Sequence, residues 1–151
     1  MLKKQFESTY TAADKFTKGY WYARDTVKMD ITAISYPAAT FDLIVCNHVL
    51  EHIEDDQKAI SELARVLMPG GIAILQVPIS LTNAETIENK AAISAEERKK
   101  AYGQFDHVRL YGQDYSARLA LGGFTVREEH IAHLYPQAAL NPCEVVFVGS
   151  K

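Results

Sequence analysis

Two near-continuous apolar runs organise the chain, Phe41-Asp42-Leu43-Ile44-Val45-Cys46 and Gly71-Ile72-Ala73-Ile74-Leu75-Gln76-Val77, the second ending at Pro78. Neither alternates strictly with polar residues, which predicts strands buried on both faces. Between them Ile60, Leu63 and Leu67 recur at helical spacing, with Asp55 and Asp56 at the expected helix N-terminus. Pro69-Gly70-Gly71 then stops the helix and turns the chain. Strand, helix, turn and strand in this order make a βαβ unit with parallel strands.

The flanks carry weaker signals. Upstream, Ser8 to Ala13 is β-prone and ends at Asp14, and Val27-Lys28-Met29 ends at Asp30, so each predicted strand carries an acid at its C-terminal end. Downstream, Ser94-Ala95-Glu96-Glu97 is a capping box opening a helix towards Tyr102. A further helix is predicted from Gln113 to Leu121, closed by Gly122-Gly123. Phe124-Thr125-Val126 and Glu144 to Val148 read as two last strands with no helix between them. The pattern predicts a single α/β domain over residues 1–151, with an open, mostly parallel sheet and an antiparallel edge strand.

Composition narrows the function classes. At 151 residues and 48% hydrophobic, the chain is large enough for a core without disulfide staples. A net charge of -3 leaves nucleic acid unsupported as a partner, because nucleic-acid binders present basic surfaces. Cys46 and Cys143 form no metal-ligand spacing and read as buried or idle thiols, and no metal site is expected. The Met1 to Gln5 start has no apolar signal core, and no apolar stretch reaches the ~18 residues of a membrane span. A cytoplasmic protein without membrane contact is the expectation.

In open α/β sheets, ligands bind outside the carboxyl ends of the strands. That rule singles out Asp14, Asp30 and Asn47. A carboxylate offers two oxygens to the paired hydroxyls of a ribose. An acid followed by an apolar residue, as in Asp30-Ile31, suits an adenine amino group with the ring covered alongside. An Asp after a strand is also a common solvated turn residue.

The segment from Phe41 to His52, with Asn47-His48-Val49-Leu50-Glu51-His52 following the strand, and then Arg65-Val66-Leu67-Met68-Pro69-Gly70-Gly71, closely resembles small-molecule class I S-adenosylmethionine-dependent methyltransferases. The resemblance implies a Rossmann-like sheet and S-adenosylmethionine as cofactor. By the same resemblance, Asp14 is the ribose-binding acid and Asp30-Ile31 the adenine-contacting pair. Asn47 and His48 then line the cleft beside the methionine portion, largely through backbone. Glu51 and His52 look like residues that fix the turn after the strand. Asp106-His107-Val108-Arg109 falls in a region that often covers the substrate in this family. His107 is a candidate general base and Arg109 a candidate clamp for an acidic substrate group; the competing reading has both bonding nearby backbone and acids. Around Gly19-Tyr20-Trp21-Tyr22, aromatic packing under a loop competes with an exposed contact or a substrate lid.

One family feature has no counterpart. The Gly-rich loop after the family's first strand, which receives the cofactor carboxylate at a helix N-terminus, matches none of the eight glycines. The expectation is a truncated domain lacking the first strand and helix, with weak cofactor binding. Its activity is methyl transfer to a small-molecule acceptor, or else it is a non-catalytic remnant serving as an interaction module. A nicotinamide enzyme, the third reading, lacks its G-x-G-x-x-G. Without a central strand, the strands ending at Asp14 and Cys46 lose a neighbour. Direct pairing, cover by the arm before Ser8, or another chain would fill the gap, and a homodimer or a complementing chain is expected.

Overall fold

A computed structural model describes residues 10–16, 21–89, 94–138 and 141–151. The two apolar runs form β3 (Phe41–Asn47) and β4 (Leu67–Gln76). They pair in parallel, Val45 opposite Ile74 and Cys46 opposite Leu75. The helix α1 (Asp56–Val66) joins them, and the Asp55 carboxylate caps it by accepting from Lys58 N at 3.0 Å. The Pro69-Gly70-Gly71 turn is absorbed into the ladder: Phe41 faces Leu67 but Leu43 faces Ile72, so the turn bulges out of β4. Gly70 carries the left-handed φ of 79° that this bulge requires.

The apolar stripe of α1 covers one face of the sheet. Ala59, Ile60, Leu63 and Val66 are buried with Leu67, Ala73 and Leu75. A short helix, α3 (Tyr115–Leu121), packs beside α1, so tightly that a Cβ on Gly122 would lie 2.2 Å from Ile60 Cγ2. Between these helices in chain order comes α2 (Ala95–Tyr102), with both bonds of its capping box made between Ser94 and Glu97. The helix predicted from Gln113 begins two residues later. The Gln113 and Asp114 N–H groups bond instead to the carbonyls of Asn83 and Ala84, at 3.0 and 3.1 Å.

The last strands are β5 (Thr125–Glu129) and β6 (Val146–Ser150), each displaced towards the C-terminus relative to the apolar pattern. The larger sheet has the order β3-β4-β6-β5, with β6 antiparallel to both neighbours. The antiparallel strand therefore lies one place in from the rim, and β5 is the edge. With no crossover α-helix among the described residues, β6 folds back along β5 and reaches β4 on its other side.

The upstream strands are shorter than the pattern suggests. Of the segment from Ser8, β1 comprises Ala13–Asp14; Ser8 and Thr9 lie outside the described residues. It pairs in parallel with β2 (Val27–Lys28), and these two form a separate sheet. Direct pairing of β1 with β3 does not occur among the described residues, so β4 is the sole strand neighbour of β3 there. Leu43 and Val45 project from one face of β3 and are each 45% exposed, as is Ile72 beside Leu43 on β4 at 44%. No helix among the described residues is long and apolar enough to cross a membrane.

Candidate functional site

The two sheets face each other across a cleft of about 730 Å³ that runs along β3 from Phe41 to Cys46 and takes in the carboxyl ends of β1 and β2. Asp14, Asp30, Ile31 and His48 all line it, together with the exposed edge residues Leu43 and Val45. Asn47 is exposed at the end of β3 but does not line the cleft. Each acid is shaped by its own turn. The Asp14 carboxylate accepts from Phe16 N at 2.8 Å, and Phe16 takes a left-handed φ of 64°. The Asp30 carboxylate accepts from Thr32 Oγ1 at 2.7 Å and Thr32 N at 2.9 Å. The Thr32 hydroxyl bond, followed by the Thr32 amide, holds the Asp30 carboxyl below its ordinary range. Both bonds use one oxygen of Asp30. His48 turns the chain out of β3 with a left-handed φ of 54°, while its N–H donates to Gln76 O at 2.8 Å.

His107 and Arg109 stand elsewhere. Both are buried, and neither lines the cleft. Arg109 donates to the carbonyls of Leu50 at 2.8 Å and Glu54 at 2.9 Å, to Ile53 O, and to Glu88 Oε1 at 2.8 Å. Beside it, Arg118 holds Asp56 through both carboxylate oxygens at 2.9 Å, and Tyr111 Oη donates to Asp56 Oδ2 at 2.9 Å. Arg109 thus ties the turn after β3 to the α2–α3 connection, the backbone-bonding alternative of the sequence. His107 sits with its ring 4.9 Å from that of His52, and His52 and Asp106 are the neighbours that reach the cleft. Cys46 is buried under the cleft floor, where desolvation and then the Glu51 charge push its thiol up to about 12, so it offers no nucleophile at neutral pH.

Comparison with known proteins places this arrangement among methyltransferase-like folds. Residues 4–75 match the family described as Methyltransferase domain. The Burkholderia thailandensis 1,6-didemethyltoxoflavin-N1-methyltransferase, with bound 1,6-didemethyltoxoflavin and S-adenosylhomocysteine, superposes with a TM-score of 0.60. It shares 17% identity over 93% of this chain and 60% of its own. This is the fold of the class I S-adenosylmethionine-dependent methyltransferases. PigF with S-adenosylhomocysteine superposes at a TM-score of 0.55 and 19% identity, over 84% of this chain and 35% of that one. The [4+2]-cyclase SpnF superposes at 0.53 and 16% identity, over 83% and 54%. The chain therefore spans between about a third and three fifths of the length of these three structures. No curated protein matches it significantly.

Four of the five residues singled out for the cofactor, Asp14, Asp30, Ile31 and His48, line the cleft. The sequence did not reveal Lys15. Of the two readings for the aromatics, loop packing and an exposed contact, Trp21 takes the second and is fully exposed at the cleft, while the Tyr22 ring lies 4.5 Å from that of Phe16. Also missed was the meeting of the adjacent pair Glu51 and His52 with His107, which lies more than fifty residues further along the chain and carries no spacing signal.

Proposed function

We propose that the chain takes S-adenosylmethionine by its adenosine end and transfers the methyl group to a small-molecule acceptor. The carrying observation is the convergence of Asp14, Asp30 and Ile31 on one cleft at the strand ends. The donor set fits an adenosine: Asp14 offers a carboxylate to the ribose hydroxyls, and Asp30 accepts from the adenine amino group while Ile31 covers the ring. S-adenosylmethionine supplies an electrophilic methyl group; the chain supplies position, since in-line attack rewards alignment more than acid-base chemistry. The methyltransferase fold and the small-molecule acceptor of the Burkholderia structure support this reading. A cytoplasmic location, a homodimer or complementing chain, and no membrane or nucleic-acid partner belong to the same proposal.

Binding by this chain alone is weak. Among the described residues no Gly-rich helix N-terminus faces the cleft to receive the methionine carboxylate. Charge-assisted bonds contribute roughly 1.5–3 kcal/mol each, so losing several costs at least ~3 kcal/mol. Titration calorimetry with S-adenosylhomocysteine gives a dissociation constant well above micromolar, weakened further by Asp14→Ala and unchanged by Glu97→Ala on α2. Sub-micromolar affinity, or equal effects of the two substitutions at matched stability, overturns the assignment. A second reading, a non-catalytic module that works through a partner, is favoured by the open apolar side of β3. Nucleoside binding insensitive to Asp14→Ala would support it.

A further inference from the structure

The turn after β3 and the α2–α3 connection bring one ligand atom each from Glu51, His52 and His107 to within 4.8 Å of one another. Backbone bonds fix this meeting: Val108 N donates to Glu51 O at 2.9 Å, and the Arg109 guanidinium holds Leu50 O and Glu54 O. Glu51 is 2% exposed, and its Oε2 has no hydrogen-bond partner. A carboxylate buried with an orphan oxygen is costly unless a cation meets it.

The orientation of His52 sharpens the point. Its Nδ1 lies 3.2 Å from Asp106 O. A carbonyl oxygen only accepts, so Nδ1 carries the hydrogen and Nε2 of the neutral ring presents its lone pair. That lone pair faces Glu51 Oε1 across 4.0 Å. Two acceptors face each other there, and a proton on Nε2 would still leave the pair beyond the ~3.2 Å reach of a hydrogen bond. A carbonyl behind the ring is also the usual outer support of a metal-bound histidine. On the opposite side His48 Nδ1 approaches Glu51 Oε1 at 3.4 Å, from the solvent-exposed wall of the cleft.

We propose that Glu51, His52 and His107 bind one divalent transition-metal ion of the zinc type, with the remaining position opening to the cleft on the His48 side. Zinc–ligand bonds of ~2.0–2.2 Å place tetrahedral ligand atoms roughly 3.3–3.5 Å apart. Metal binding would draw the ligand atoms, now within 4.8 Å of one another, to that spacing. Two imidazoles and one carboxylate select zinc, cobalt or iron(II) over magnesium or calcium, which prefer all-oxygen sites. This departs from the expectation that no metal site is present, and it stands independently of methyl transfer.

Metal-free chain titrated with Co²⁺ tests the site without reference to activity. The expected result is one Co²⁺ per chain, with the visible d–d bands of a low-coordinate site, displaced by Zn²⁺. Glu51→Gln and His52→Gln each weaken binding by more than the ~10–100-fold typical of losing an outer-shell partner. The exposed His133→Gln leaves it unchanged. Should Glu51→Gln fail to give a native circular dichroism spectrum, His52→Gln at its half-exposed position decides. Absence of saturable binding up to millimolar metal, or binding that survives His52→Gln, overturns the proposal.

Discussion

Arg109 directs every nitrogen of its guanidinium inward, towards three carbonyls and the Glu88 carboxylate, with the Tyr111 ring 5.7 Å from its Cζ. Five donors in a rigid fork match that arrangement, and an ammonium group does not. Arg109→Ala therefore destabilises the fold by ~3–5 kcal/mol, the usual cost of breaking a buried charged network. Arg109→Lys recovers little of it. Urea unfolding measures both. An unchanged midpoint with selective loss of acceptor binding would return Arg109 to the role of substrate clamp. The sequence could not separate these readings, because Arg in a loop before a helix looks the same whether it faces a ligand or its own backbone. Asp14 and Asp30 were legible for the opposite reason: their position at strand ends is a local property of the chain.

At the scale of elements, the loop before β3 is held to α1 by one acid. Glu62 Oε2 accepts from Ile34 N at 3.0 Å, while Arg65 donates to Glu62, to Ile34 O at 2.8 Å and to Tyr36 O at 2.9 Å. The Arg65 hydrogen bond, offset in part by burial, holds the Glu62 carboxyl down to about 2 from its ordinary 4.5. A carboxyl lowered on folding adds stability that is complete above about pH 4.5 and is lost as pH falls through about 2. Glu62→Gln accordingly lowers stability near pH 7 by about 1–3 kcal/mol and flattens the decline between pH 4.5 and 2. Thermal melts of both proteins across that window check it; parallel curves would refute it. The core elements, β3, α1 and β4, were legible because their apolar periodicity is strong. The ends were not. The Pro69-Gly70-Gly71 turn is a bulge inside a ladder, and the start of α3 is set by backbone bonds to Asn83 and Ala84, both of which depend on distant partners. β1 and β2, at two residues each, leave almost no pattern to read.

For the whole molecule, the cleft that gathers the candidate adenosine residues is also a break in the sheet. Leu43 and Val45 line it from one face of β3, and the backbone edge of β3 away from β4 meets no strand among the described residues. An exposed apolar edge invites pairing. Light scattering at micromolar concentration is expected to give a dimer, and amide exchange along Leu43 to Cys46 to slow as concentration rises. A monomer already protected there at every concentration would refute the dimer. The position of β6 has a different consequence, in the order of synthesis. β5 leaves the ribosome before β6, yet β6 is the strand it pairs with, and β4 likewise waits for β6 on one side. Until residues 146–150 emerge, the nascent chain carries β4 and β5 as two unjoined pieces with α2 and α3 between them. Closure of the sheet is a late, long-range step, and the interval before it is when a nascent chain of this fold most needs a holding chaperone.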